Sequence, residues 1–306
     1  MTEPSAGRRR GIRLPPQFAE RARDVLDGTV PPVTPRDAAT VMLLRPGRDD
    51  GPDGAGPDGA ASDGAGARGP GLQVYMLRRR SSMAFAPGAY VFPGGSVDPA
   101  DADEGIAWAG PDAAEWGRLL DAPAELARTL VCAAVRETFE ESGVLLAGPD
   151  AGTVLATTGD EGWEADRRAL LAGALSLARL LQRRGLVLRS DLLRPWARWI
   201  TPVTEARRYD TRFFAAALPG GQHARDVSGE ADETAWLEPG AALGAASRRE
   251  IALFPPTAVT LGELRACGTV AAALAARRRM TALIPEVMGA EGAAWLTVPD
   301  GVEYPL

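Results

Sequence analysis

The sequence predicts an α+β fold, and three observations carry the prediction. Runs of strand length and composition stand at 38–44 and 72–77, and again at 207–218 with Tyr209, Thr211, Phe213 and Phe214. A helix from about 123 to 142 carries Val131, Cys132, Val135 and Phe139 at core-facing spacing, and Gly143 stands where it should end. Helical periodicity returns at 161–184 and 256–278, so helices and strands are interleaved along the chain.

Taken in order, residues 1–14 read as disordered. Residues 15–27 form a short helix with Phe18, Ala22 and Val25 on one side, and Pro31, Pro32 and Pro35 break the chain after it. Strands 38–44 and 72–77 are joined by 46–71, a low-complexity tract of Gly, Asp, Ala and Pro that reads as a disordered loop. It contains a formal Gly54-x-Gly56-x-x-Gly59, but Pro57 and Asp58 lie inside it and no amphipathic helix follows, which excludes a dinucleotide fingerprint. Arg78, Arg79 and Arg80 close the second strand, either as a solvated strand end or as a positive rim for a phosphate-bearing ligand. An aromatic strand then runs through Tyr90 and Phe92 into Pro93-Gly94-Gly95, a turn whose glycines permit close backbone approach. Residues 96–124 are acidic and form a loop with a short helix near 112–120. A long amphipathic helix at 161–184 packs as a helical insertion within 150–192. An acidic turn precedes a strand at Trp236, helices follow near 239–248 and 256–278, and 281–304 closes as a β-hairpin turning near 289–292.

Composition narrows the function classes. Of 306 residues, 45% are hydrophobic and 24% charged, ordinary for a globular protein, and the net charge of −6 argues against a general nucleic-acid binder. All basic residues are arginine, which reads as coding bias from a GC-rich genome. Two cysteines make no disulfide framework, and Cys132 falls on the apolar helix face as a small core residue. One histidine, His223, makes neither a triad nor a zinc site and reads as surface. No apolar run is long enough to span a membrane, and no leader pattern follows Arg8–Arg10, so a cytoplasmic location without a membrane partner is expected.

The chemistry concentrates in Arg136-Glu137-Thr138-Phe139-Glu140-Glu141-Ser142-Gly143-Val144. Glu137, Glu140 and Glu141 share one helix face, and crowded carboxylates repel unless a cation sits among them. Oxygen-only ligands suit Mg²⁺ or Mn²⁺. The helix alone fits a solvated acidic face equally well.

This run resembles the Nudix hydrolase box, G-x5-E-x7-R-E-U-x-E-E-x-G-U with U bulky and aliphatic. Only Thr138 departs from its second half. The first half is interrupted: Gly95 stands 41 positions before Arg136, where the box puts 14, so about 27 residues are inserted, and the box's first glutamate falls at Arg128. Glu125 or an acidic residue of the insertion is the candidate substitute. The run 87–95, together with the interruption, resembles the branch that contains the peroxisomal coenzyme A diphosphatase. So do the segments Trp199-Ile200-Thr201-Pro202, 208–214 and Trp236-Leu237-Glu238-Pro239.

The resemblance implies a mixed β-sheet sandwiched between helices, with helical insertions and a C-terminal hairpin. It divides the chain into a tail with a short helix (1–35), a Nudix domain (36–265, with the box insertion at 96–124) and a C-terminal helix and hairpin (266–306). It implies a metal-dependent diphosphatase with Glu137, Glu140 and Glu141 as ligands to Mg²⁺ or Mn²⁺, and the Gly94 carbonyl as a backbone ligand. Arg136 would orient a carboxylate, and Glu230, ahead of Glu233 as a choice, would be the carboxylate of a later loop. Glu137 or that loop residue would be the base. The partner expected is a small nucleotide, most specifically coenzyme A or an acyl-coenzyme A, with contacts from Arg78, Arg79, Arg80, Tyr90 and Phe92; a homodimer is admitted. The coenzyme A signature is half present, because Ala84 stands where that type carries arginine. ADP-ribose, NADH or FAD as substrate, and a non-catalytic nucleotide-binding module, stay open.

Overall fold

The computed structural model describes residues 11–13, 16–47, 71–80, 88–226, 231–290, 293–299 and 301–306. The chain opens with β1 (Gly11–Arg13), α1 (Pro16–Leu26), β2 (Arg36–Pro46) and β3 (Leu72–Arg79). Two short strands, β4 (Tyr90–Val91) and β5 (Gly94–Ser96), lead to a single 3₁₀ turn at Pro99–Ala102, then β6 (Trp108–Ala109), α2 (Ala113–Leu120) and α3 (Ala124–Ser142). Next come β7 (Ala147–Gly148), α4 (Glu161–Leu171), α5 (Leu177–Arg184), β8 (Val187–Arg189), β9 (Arg194–Ile200) and β10 (Tyr209–Ala217). The chain closes with β11 (Ala231–Leu237), α6 (Pro239–Ser247), α7 (Pro255–Cys267), α8 (Val270–Ala275), β12 (Ala282–Leu283), β13 (Glu286–Ala290) and β14 (Ala293–Thr297).

The main sheet runs β11-β3-β2-β10-β9-β12, with β4 added to β3 and β5 added to β2. It is mixed: β2 and β10 pair in parallel from Arg36↔Tyr209 to Leu44↔Ala217 and β12 pairs in parallel with β9, whereas β3 and β5 pair antiparallel to β2, and β9 antiparallel to β10. Both faces are buried, so β2 is nearly continuously apolar and its alternation sorts side chains between two cores. Val41, Leu43, Tyr75 and Leu77 face the core shared with α2, α3, α4 and α5. Met42, Leu44, Val74 and Met76 face the core shared with α6, α7 and α8. The sheet therefore lies between two layers of helices, as the resemblance implied.

Several expectations are corrected. The long helix at 161–184 is two helices, because Gly173 adopts a left-handed φ of 66° and Ser176 caps a fresh start at Leu177. Helix 256–278 divides in the same way, with Gly268 at φ 72° ending α7 and Thr269 capping α8. A single left-handed glycine hides such a break in the sequence, since each half keeps helical spacing by itself. Within 1–14, residues 11–13 are a strand on β14 rather than disordered. The closing hairpin is β13–β14, but residues 282–283 join β9 in the main sheet instead. Gly94 and Gly95 lie in a strand paired with β2, not in a tight turn. Most of the tract 46–71 lies outside the described residues.

Candidate active site

α3 presents the carboxylates. It ends at Gly143, whose left-handed φ of 70° and N–H to the Phe139 carbonyl close the last turn. It is not half solvated: insertion elements pack around it, and Glu140 and Glu141 are 7% and 8% exposed. Thr138, where an aliphatic residue is usual, is fully buried and satisfies its hydroxyl on the Ala134 carbonyl at 2.7 Å. Arg167 of α4 donates from Nε to the Glu140 carbonyl at 2.8 Å, placing a buried cation at the negative end of the helix.

The glutamates face β5. The Gly94 N–H donates to Glu141 Oε2 at 2.8 Å. Gly95 packs so tightly on Glu137 that a Cβ there would lie 2.4 Å from Glu137 Oε1. The Gly95 contact depends on glycine, and a Cβ at Gly94 would instead meet Ala39 and Thr40 of β2, so each glycine permits a close approach of its own.

Arg136 organises the cluster. Its Nε and Nη2 form a two-pronged pair with Asp101 at 2.8 and 2.9 Å, and Nη2 also donates to the Ser96 carbonyl at 3.0 Å. Nη1 reaches Glu137 Oε1 at 2.9 Å and Glu140 Oε2 at 3.1 Å. Burial alone would loosen the guanidinium's proton, but the hydrogen bond to Asp101 and the charges of Glu137, Asp101 and Glu140 outweigh it and raise its pKa. Burial pushes the Glu137 carboxyl up to about 7, against the pull of Arg136 and with the repulsion of Glu140 added. Glu140 is raised for the same first cause, again opposed by Arg136.

Asp101 was not singled out from sequence. Its signal was Asp98-Pro99-x-Asp101, a capping box: the Asp98 side chain accepts from the Ala100 N–H at 2.7 Å, and the Asp101 side chain accepts from the Asp98 N–H at 2.8 Å. Glu125, the other candidate substitute, is exposed in the first turn of α3.

Among the described residues, no group of three or more His, Cys, Asp or Glu side chains is arranged to hold a metal ion. The donor chemistry nevertheless fits a hard divalent cation. Asp101, Glu137 and Glu140 gather on one guanidinium with buried Glu141 beside them on the Gly94 N–H, an excess of negative charge that desolvation penalises. Arg136 contacts one oxygen of each ligand candidate, Glu137 Oε1 and Glu140 Oε2.

The remaining predicted residues lie elsewhere. Arg78 on β3 and Arg80 just past its end are exposed and face acidic partners on β11, Glu233 at 3.8 Å and Asp232 at 3.9 Å, so the rim is not a bare positive patch. Tyr90 donates to Glu233 Oε2 at 2.9 Å. Arg78, Tyr90 and Glu233 line a cavity of about 690 Å³ with Arg249, Glu250 and Leu306, bounded by the end of α6 and taking no residue from α3. Arg79 does not line it. Phe92 is 3% exposed within the α6–α7 core, beside the equally buried Trp199, so it is not placed to meet a ligand. Glu230 and Ala84 lie outside the described residues. His223 is exposed, as expected.

The fold and this carboxylate helix together define a class: residues 110–264 match the family model of the NUDT19 Nudix domain, and the chain belongs to the Nudix hydrolase family. Within it, the chain is similar to the acyl-coenzyme A diphosphatase NUDT19 of Gallus gallus, with 30% identity over 236 residues covering 60% of this chain and 58% of that protein. The Homo sapiens acyl-coenzyme A diphosphatase NUDT19 is 29% identical over 222 residues, covering 61% and 58%. The matches thus span less than two thirds of those relatives. A crystal structure of a NUDIX hydrolase from Alicyclobacillus acidocaldarius aligns with a TM-score of 0.61 and 28% identity, covering 80% of this chain and 97% of that one. No helix among the described residues is long and apolar enough to cross a membrane.

Proposed function

We propose that this protein is a metal-dependent diphosphatase of coenzyme A or acyl-coenzyme A. Water adds to one phosphorus of the diphosphate, one bridging P–O bond breaks, and 3′,5′-ADP and 4′-phosphopantetheine (or its acyl form) leave. The observation that carries the reading is the gathering of Glu137, Glu140 and Glu141 against the Gly94–Gly95 strand, with Arg136 bridging two of them. The relatives named acyl-coenzyme A diphosphatase support the substrate class.

Glu137, Glu140 and Glu141 would hold Mg²⁺ or Mn²⁺, with the Gly94 carbonyl as the backbone donor. Such an ion supplies charge neutralisation to the diphosphate and lowers the pKa of water. Arg136 positions Glu137 and Glu140 through one shared nitrogen. Glu137 or Glu230 takes the proton of the attacking water. Arg78 and Tyr90 are the substrate contacts supported by a cavity; Arg79, Arg80 and Phe92 lack that support.

Ala84, in the place of the arginine usual in coenzyme A hydrolases of this family, favours a second reading in which ADP-ribose, NADH or FAD is the substrate. Hydrolysis of coenzyme A, acetyl-coenzyme A, ADP-ribose, NADH and FAD with Mg²⁺ or Mn²⁺, with products identified by mass spectrometry, separates the two. Turnover of ADP-ribose without turnover of coenzyme A rejects the first. Undiminished hydrolysis by Glu140→Gln rejects the site.

A further inference from the structure

We propose that the insertion at 96–124 is part of the active-site machinery, and that Asp101 and Arg128 are its positioning residues. The inference rests on the reading of Glu137 and Glu140 as metal ligands. Arg136 has donors enough to form a two-pronged pair with either glutamate, and such a pair would compete with a cation for the same oxygens. Asp101 removes that option. It occupies Nε and Nη2 from the far side, Ser96 takes the remaining hydrogen of Nη2, and only Nη1 is left for Glu137 and Glu140 to share. The glutamates are thereby held in place without being neutralised by a full fork.

Asp101 is itself fixed. It is 1% exposed, and its carboxylate closes the capping box of the 3₁₀ turn through the Asp98 N–H. The loop that follows is fastened by Arg128, whose guanidinium donates to the carbonyls of Glu104 at 3.2 Å and Ile106 at 3.0 Å, reaches that of Asp103 at 3.5 Å, and lies over the Trp108 ring at 5.1 Å. Arg128 is the residue at the position where the box spacing expects a glutamate. The two anomalies of the box, the inserted segment and the arginine at 128, are therefore one arrangement. The arginine anchors the insertion to α3, and the insertion returns a carboxylate to Arg136 across 35 residues.

The test is a calorimetric titration of Mn²⁺ alone into the chelator-stripped full chain, paired with steady-state hydrolysis. Asp101→Asn keeps size and one acceptor oxygen but removes the charge, freeing Arg136 to fork onto Glu137 or Glu140. The expected result is a Kd for Mn²⁺ raised roughly 10–100-fold, with kcat lowered and substrate KM nearly unchanged. Asp101→Glu, which restores the charge, should recover part of the Mn²⁺ affinity. Arg128→Gln touches neither glutamate and should shift Mn²⁺ affinity in the same direction by a smaller factor, and it decides the matter if Asp101→Asn does not fold. Wild-type Mn²⁺ affinity and kcat in both folded variants would overturn the positioning role while leaving the metal reading intact. Failure of the wild-type chain to bind Mn²⁺, with Glu140→Gln as active as wild type, would overturn both.

Discussion

Gly94 and Gly95 are neighbours in β5, yet alanine at each should fail in a different way. A Cβ at Gly95 would lie 2.4 Å from Glu137 Oε1, 2.7 Å from Cδ and 2.8 Å from Oε2, all of them atoms at the end of a flexible side chain. The carboxylate must withdraw by about 1 Å to reach ordinary contact, and the backbone need not move. A Cβ at Gly94 would lie 2.5 Å from the Ala39 carbonyl oxygen, 2.5 Å from Thr40 Oγ1 and 2.7 Å from Thr40 Cα. Those atoms belong to β2, whose register Thr40↔Gly94 is held by the sheet, so strand separation must open. Gly95→Ala should therefore melt within about 2 °C of wild type while hydrolysis falls on the order of 100-fold, the cost of misplacing a reacting group by about 1 Å. Gly94→Ala should lose about 3 kcal/mol of stability through overpacking, or roughly 6–10 °C in Tm for a domain of this size. Differential scanning fluorimetry and coenzyme A hydrolysis on the two variants provide the readouts. Full activity in Gly95→Ala would show that the position of Glu137 does not matter to the reaction, and an unchanged Tm in Gly94→Ala would refute the packing of β5 on β2.

Glu137 sets a pH dependence: its carboxyl is raised from 4.5 to about 7 by burial, so the folded chain holds that proton more tightly than the unfolded chain. The stabilisation is complete below pH 4.5 and is lost as pH rises through about 7, so chelator-treated Glu137→Gln should gain up to about 3 kcal/mol over wild type at pH 8 and little at pH 5, read by thermal melts. In β10, Asp210 pairs with Arg198 at 2.6 and 2.9 Å and with Arg212, which is 2% exposed. Asp210→Ala strands a buried guanidinium and should cost about 3–5 kcal/mol in denaturant unfolding, more than Arg198→Ala at the less buried partner. Burial pushes the Cys132 thiol up to about 12, whereas Cys267 is half-buried; iodoacetamide at pH 8 should label Cys267 and spare Cys132 in the native protein, as peptide mapping would show.

The sequence by itself determined the local parts. The apolar alternation of β2 and β3, the spacing of Glu137, Glu140 and Glu141, and the cap at Gly143 are all periodic or adjacent in the chain. Local sterics and burial act over the same few residues that a reader scans. The breaks at Gly173 and Gly268 were less legible, because a left-handed glycine between two stretches of helical spacing leaves the periodicity on each side intact. Only the tertiary structure decided which carboxylate meets Arg136, since Asp101 and Arg136 are brought together by the packing of the insertion on α3. It also decided that Glu141 answers the Gly94 N–H, that Phe92 and Trp199 are core residues, and that Arg78 and Tyr90 share a cavity with the end of α6. These pairings join segments tens of residues apart, and their partners are selected by sheet register and helix packing, which no local pattern encodes.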